Sequence, residues 1–141
     1  MLAGCTLQPN GGLPDHWEDA MATLAVRNIS DAPDEIRKFQ AHGYVEVVTL
    51  EGFTIGRGIF EPGWRWSNDV APIAGTASCQ TRHTGVCSSG EMVVRMDDGT
   101  EKTIRHGDVF VIEPGHDAWV VGADPCILFD TGITGYAQPR S

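Results

Sequence analysis

From Tyr44 onward the chain is cut into short apolar runs that end, at close intervals, in Gly, Pro-Gly or Asp-Gly. The runs read "YVEVVTLEG", "FTIGRGIFEPG", "EMVVRMDDG", "TEKTIRHG", "DVFVIEPG" and "WVVGADPCILFDTG". They are rich in β-branched and aromatic residues and too short for globular helices, so the cadence predicts an all-β sandwich or barrel. "MDDGTE" predicts a hairpin, because Asp98-Gly99 supplies the positive φ that such turns require. In "EMVVRM", Met92, Val94 and Met96 share one face and Glu91, Val93 and Arg95 the other, as in a barrel wall with one side buried. Gly56, Gly58 and Gly63 in "GRGIFEPG" lack both the spacing and the following helix of a nucleotide-binding loop, and read as glycines at strand bends and a turn.

Ahead of this region the texture differs. The stretch to about Asn10 or Gly12 reads as a polar, Gly-rich arm. "PDHWEDAMATL" (Pro14 to Leu24) predicts a short helix with acids in its first turn. A second helix is expected over "DAPDEIRKFQAHG", with an N-cap at Ser30 or Asp31, Ile36 and Phe39 on one face and Gly43 as its stop. The expected organisation is an arm and helical extension over residues 1–43, a β-barrel over 44–135 and a tail over 136–141. With 141 residues the barrel can build its core without metal or disulfide staples, so a metal here needs a chemical justification.

Charge narrows the partners. Ten Lys and Arg stand against 19 Asp and Glu, a formal net charge of -9, with the basic residues scattered singly. Such a surface repels phosphate backbones and anionic lipid, which argues against nucleic acid and membrane and leaves a small molecule or another protein. No window of about 18 apolar residues predicts a membrane span. "LAGC" at Leu2 to Cys5 has the form of a lipoprotein cleavage box, yet only Met1 precedes it, so it reads as chance or as a start placed too far downstream. Four unevenly spaced cysteines without a signal peptide fit free thiols in a reducing cytoplasm.

The chemistry-bearing stretch is "SCQTRHTGVCSSG", Ser78 to Gly90, with "GDVFVIEPGHDAW" downstream. Together they give Gly75 to Gly122 the look of a cupin. The second stretch resembles that family's second motif, with Gly107, the Pro114-Gly115 turn and His116. The first resembles the skeleton of its first motif, ending at Gly90. The resemblance implies a cupin-type double-stranded β-helix, a jelly-roll barrel, here with short N-terminal helices, and a homodimer. Counting back from Gly90 by the family's spacing places His83 where the Glu ligand normally sits and Cys79 where the second His of the pair would be. Ala77 falls on the first His position. In the second motif Ala118 occupies the usual His position, whereas His116 directly follows Gly115.

On one straight strand Cys79 and His83 would lie about 13 Å apart and could not share an ion. With "QTR" as a turn, as the family layout implies, they converge, and His116 completes a set of one thiolate and two imidazoles. That is the donor set of a catalytic zinc site with an open fourth position. Zn(II) is the expected metal and Fe(II) the next, the loss of Glu and gain of Cys leading away from Mn. Asp117 is a candidate acceptor behind the site or a base, although a strand neighbour of His116 points the other way.

Trp64, Trp66 and Trp119 are candidate substrate-packing aromatics, and Arg82 or Arg57 a candidate carboxylate clamp. Other readings stand beside these. Cys79 can be a small core hydrophobe and His83 a hydrogen-bonded structural residue, or Cys79 a nucleophile activated by His83 or His116 without metal. "WRW" can equally serve core or subunit contacts. Cys87 and Cys126 read as core, Cys5 as incidental, and His16, His42 and His106 as solvated. The functional expectation is a metal-dependent cupin enzyme for hydrolysis, isomerisation, lyase or cyclisation chemistry on a small metabolite. A non-catalytic binding or sensing module is the competing class, and a structural metal staple a third.

Overall fold

Alternating burial along the short apolar runs builds nine strands in the computed structural model, which describes residues 23–138. They are β1 (Glu35–Lys38), β2 (Gly43–Leu50), β3 (Phe53–Phe60), β4 (His83–Ser89), β5 (Glu91–Met96), β6 (Glu101–Arg105), β7 (Val109–Ile112), β8 (His116–Val120) and β9 (Cys126–Asp130). Two one-turn helices, α1 (Trp66–Asp69) and α2 (Ala71–Ala74), lie between β3 and β4. The strands form a six-stranded sheet in the order β1-β2-β3-β9-β4-β7 and a three-stranded sheet in the order β6-β5-β8. All recorded pairings are antiparallel.

Inner faces of both sheets supply one core. Val45 and Val47 of β2, Phe60 of β3 and Leu128 of β9 meet Met92 and Val94 of β5 and Ile104 of β6 in a single cluster. Each such side chain contributes about 1.5–3 kcal/mol by leaving water. Met92 and Val94 face inward as their spacing predicts, with Met96 packed against the cluster. The β5–β6 hairpin turns at Asp97–Thr100, where Gly99 has φ 94°. Gly90 joins β4 to β5 at φ 77°, and a Cβ there would sit 2.2 Å from the Pro125 carbonyl oxygen, so only glycine lets the strands meet at this corner.

The helix expected over "DAPDEIRKFQAHG" is replaced by strand β1. Asn28 takes the turn-starting role instead of Ser30 or Asp31, its carbonyl accepting from Asp31 N at 3.1 Å and its side chain from Ser30 N at 2.8 Å. The chain then pairs with the free edge of β2, Glu35 opposite Val47 and Lys38 opposite Tyr44. Ile36 is exposed, while Phe39 stacks on Phe60 at 5.4 Å and meets Trp64 at 5.7 Å, so the two apolar residues do not share a helical face. Tertiary pairing has overridden a local helical signal. The helix expected at Pro14–Leu24 lies almost wholly outside the described residues, as do His16 and Cys5.

Gly56 and Gly58 lie within β3 and Gly63 in the turn that follows. At Gly58 a Cβ would stand 2.4 Å from the Phe60 ring, so close packing as well as bending accounts for it. No helix among the described residues is long and apolar enough to cross a membrane.

Candidate metal centre

Cys79 is fixed by its backbone before its side chain does anything. It forms an isolated bridge to His116 at the start of β8, with Cys79 N donating to His116 O at 2.8 Å and Gly115 N to Cys79 O at 2.7 Å. "QTR" then carries the chain to His83, the first residue of β4. Cys79 and His83 are therefore not on one straight strand, and their side chains meet: Cys79 Sγ lies 3.6 Å from His83 Nε2. His116 joins them, so that one ligand atom from each of the three lies within 4.8 Å of the others, all three residues being buried.

The hydrogen bonds behind each imidazole decide which nitrogen is free. His116 Nδ1 is 2.8 Å from Glu113 O, and a carbonyl only accepts, so Nδ1 is the donor there and Nε2 is the nitrogen left to face the centre. His83 Nδ1 contacts Asp130 Oδ2 at 2.5 Å, which orients His83 in the same sense with Nε2 toward Cys79. Asp130 is itself held, its Oδ1 accepting from Thr84 N at 3.2 Å and Gly132 N at 2.7 Å. Carboxylate or carbonyl behind an Nδ1–H, with Nε2 presented in front, is the usual support of a metal-bound histidine.

The separation of one donor pair is compatible with a shared tetrahedral metal ion. Bonds of about 2.3 Å to sulfur and 2.05 Å to nitrogen, meeting at the tetrahedral angle, separate the two donors by about 3.6 Å. Cys79 Sγ and His83 Nε2 stand at that separation. Electrostatics point the same way. Burial alone would raise the Cys79 thiol, but hydrogen bonds from His116 and His83, and their charges, outweigh it and bring it down to about 6. Burial alone would lower His83, but the hydrogen bonds to Asp130 and Cys79 raise it to about 9.

A small, mostly apolar cavity lies against this cluster. His83, His116, Asp130, Tyr136, Trp64 and Trp66 are among its walls, and it offers about 30 Å³ to the centre of a water-sized molecule. One water needs about 10–15 Å³ on this measure, so the space suits a ligand of a few atoms or the end of a longer one. Tyr136 stands edge-on to His83 at 4.8 Å. Burial, then the negative charges of Cys79 and Asp130, push its phenol well above the usual value, so it is a neutral hydroxyl. Leaving a buried donor unpaired costs about 1–3 kcal/mol. Trp64 Nε1 and Trp66 Nε1 are both in that position among the described residues.

Of the residues expected at a site, Cys79, His83 and His116 come together, and Trp64 and Trp66 line the cavity beside them. The alternation of "WRW" explains the last pair. Arg65 is extended (φ -145°, ψ 130°), so Trp64 and Trp66 turn inward and Arg65 turns out. Asp117, Arg82 and Trp119 are not brought to the cluster. Asp117 lies on the opposite side of β8 from His116, accepting from Ser67 N at 3.0 Å and Arg65 Nη1 at 3.3 Å. Trp119 packs under the Arg65 guanidinium at 4.2 Å. Arg82 is exposed and pairs with Glu113, and Arg57 pairs with Glu46.

Cys87 and Cys126 are buried core residues, with burial raising both thiols. His106 is exposed, as expected, and His42 contacts Asp69 Oδ2 at 3.0 Å. Asp130 and Tyr136 are the site residues that sequence reasoning missed. Alternation in "CILFD" carries a signal for the first, since Cys126, Leu128 and Asp130 share the inner face. Nothing comparable marks Tyr136.

Two solved structures support the fold. A protein with a double-stranded β-helix domain from Klebsiella pneumoniae superposes with a TM-score of 0.52 at 19% identity, over 79% of this chain and 91% of that one. AerE from Microcystis aeruginosa gives 0.53 at 22% identity, over 71% of this chain and 46% of that one. A protein described as a sugar phosphate isomerase from a cupin superfamily, from Silicibacter pomeroyi, gives 0.49 at 16% identity, covering 68% of each chain. No family model and no curated protein matches the sequence. The chain is a small double-stranded β-helix whose barrel brings together a Cys/His/His group that could hold a metal.

Proposed function

We propose that this cupin-type barrel is a metal-dependent enzyme acting on a small metabolite, with Zn(II), or next Fe(II), held by Cys79, His83 and His116 and an open coordination position toward the cavity. The convergence of the three donor atoms within 4.8 Å, each imidazole with its Nδ1–H already engaged, carries the reading. When bound, zinc would polarise a substrate oxygen or lower the pKa of a bound water, which serves hydrolysis, isomerisation, elimination or cyclisation, whereas iron would bring oxygen chemistry.

The chain's own residues prepare that site. Asp130 engages His83 at Nδ1 and Glu113 O engages His116 at Nδ1, so in both rings Nε2 is the nitrogen left to face the centre. The thiolate of Cys79 brings one negative charge to the centre, which suits a soft divalent ion. The apolar walls, with Phe60 and Leu128 among them, exclude bulk water and strengthen every electrostatic contact inside. Tyr136 places a neutral hydroxyl-bearing ring against His83.

A second reading draws on the same contact: the Cys79 thiolate beside His83 acting as a nucleophile without metal. That chemistry needs one imidazole at the thiolate, and the second, His116, favours the metal. Metal analysis of protein purified without chelator or added metal separates the two. About one metal per chain is expected in the wild type, with loss in Cys79→Ala and in His83→Ala. Wild-type protein lacking stoichiometric metal, or variants that retain all of it, would overturn the assignment.

A further inference from the structure

Trp64 and Trp66 are each 2% exposed, both line the cavity that holds His83 and His116, and neither Nε1–H has an acceptor among the described residues. An indole nitrogen is a donor only, and buried donors in native structures find partners in the large majority of cases. Neither ring is placed by a hydrogen bond of its own. Trp64 is set by its backbone, whose carbonyl accepts from Val120 N at 3.0 Å, and by the rings of Phe39 and Phe60. Trp66 is set by its position at the start of α1, where its carbonyl accepts from Val70 N at 2.9 Å. Both residues line the cavity, and no other group among the described residues accepts from them.

We propose that Trp64 and Trp66 recognise a carboxylate, their two indole N–H groups donating to the oxygens of a small carboxylate ligand, or of the carboxylate end of a longer one, in the barrel cavity. This rests on the cavity being the working site of the metal centre, and it names the ligand class.

The chemistry of the wall selects a group that accepts and does not donate. Asp130 is the carboxylate in the wall, and its oxygens already accept from His83 Nδ1, Thr84 N and Gly132 N. A ligand amide or hydroxyl would bring N–H or O–H groups into a mostly apolar space where this acceptor already holds three hydrogen bonds. A carboxylate satisfies both indoles and brings no donor. The room available, about 30 Å³ for the centre of a water-sized molecule, suits one such group.

The test uses indole N–H signals in 15N NMR of the full chain, with and without Zn(II). The four tryptophans give four such signals, and Trp64→Phe and Trp66→Phe assign two of them by their disappearance. Titration with acetate at constant ionic strength is expected to move the Trp64 and Trp66 signals to lower field in a saturable way. The Trp119 signal, assigned in the same way by Trp119→Phe, is expected to stay in place. Each Phe variant is expected to weaken acetate roughly tenfold or more while keeping its zinc, and acetamide to bind roughly tenfold more weakly than acetate in the wild type.

Zinc-loaded protein whose two indole signals ignore acetate would overturn this proposal and leave the metal reading intact, as would variants that bind acetate as well as wild type. Protein that holds no metal yet shows the acetate-dependent shifts would overturn the metal reading and support carboxylate recognition on its own.

Discussion

Asp130 supports the candidate metal centre without belonging to its donor set. Its Oδ2 faces His83 Nδ1 and its Oδ1 is fixed by two backbone amides, so it sets both the tautomer and the direction of the ring. Asp130→Asn keeps an oxygen that can accept but removes the charge that makes the imidazole more basic. Metal affinity is expected to fall about tenfold, toward the lower end of what loss of such a supporting partner costs. Competition with a chromogenic chelator measures it, and unchanged affinity would show that Asp130 serves the fold alone. At this scale the convergence of Cys79, His83 and His116 was legible and the groups behind them were not. Cys79 and His83 could be found because Gly90 fixed a ruler, and Gly90 is irreplaceable for a local reason, its positive φ against Pro125 O. Asp130 lies 47 positions from His83, and only the pairing of β9 with β4 brings them together. Asp117 is next to His116 in sequence, yet alternation along β8 turns it to the opposite face.

Between residue and fold stands the element that closes the site from behind, the "DTG" segment after β9. Gly132 lies so near Arg82 that a Cβ would stand 2.1 Å from its carbonyl oxygen and 3.1 Å from His83 Cα. Gly132 does not share the left-handed φ of the turn glycines, so Ala could adopt its backbone but has no room. Gly132→Ala is therefore expected to push the 82–83 segment away from β9. A stability loss of about 1–3 kcal/mol by urea unfolding should accompany it, as for other overpacked positions. Metal content should drop with it, because His83 moves. A variant with wild-type stability and metal would mean that the segment yields without disturbing the site. The strand cadence from Tyr44 was legible because each run ends in its own turn chemistry, as at Gly99. β1 was not. Its local signals, Pro33 and acids ahead of Ile36 and Phe39, suit a helix, and the free edge of β2 that captures it is a property of the assembled sheet.

At the level of the whole molecule, the coupled Cys79 and His83 make the metal-free protein's behaviour depend on pH in a definite sense. Cys79 in the fold, at about 6, lies below the ordinary thiol value of 9.0. It contributes stability that is present above 9.0 and is lost as pH falls through about 6. His83, at about 9, lies above the ordinary 6.5. Its contribution is full below 6.5 and is lost as pH rises through about 9. Between 6.5 and 9 the growing thiolate contribution offsets the shrinking imidazolium one, so metal-free stability should run nearly level there. In that window the thiolate already exists and the His83 Nε2 proton is what a metal must displace, so affinity should rise about tenfold per pH unit and flatten above the His83 value. Ultraviolet titration of the chelator-treated protein checks the premise. Midway through the window the wild type should show the absorbance of one thiolate that Cys79→Ser lacks, and it should fade as pH drops through about 6. Cys87 and Cys126 cannot mimic it, since burial moves both thiols upward. A signal that grows in only near 9.0 would mean that the imidazoles do not stabilise the Cys79 thiolate, and the electrostatic preparation of the centre would then have to come from the metal itself.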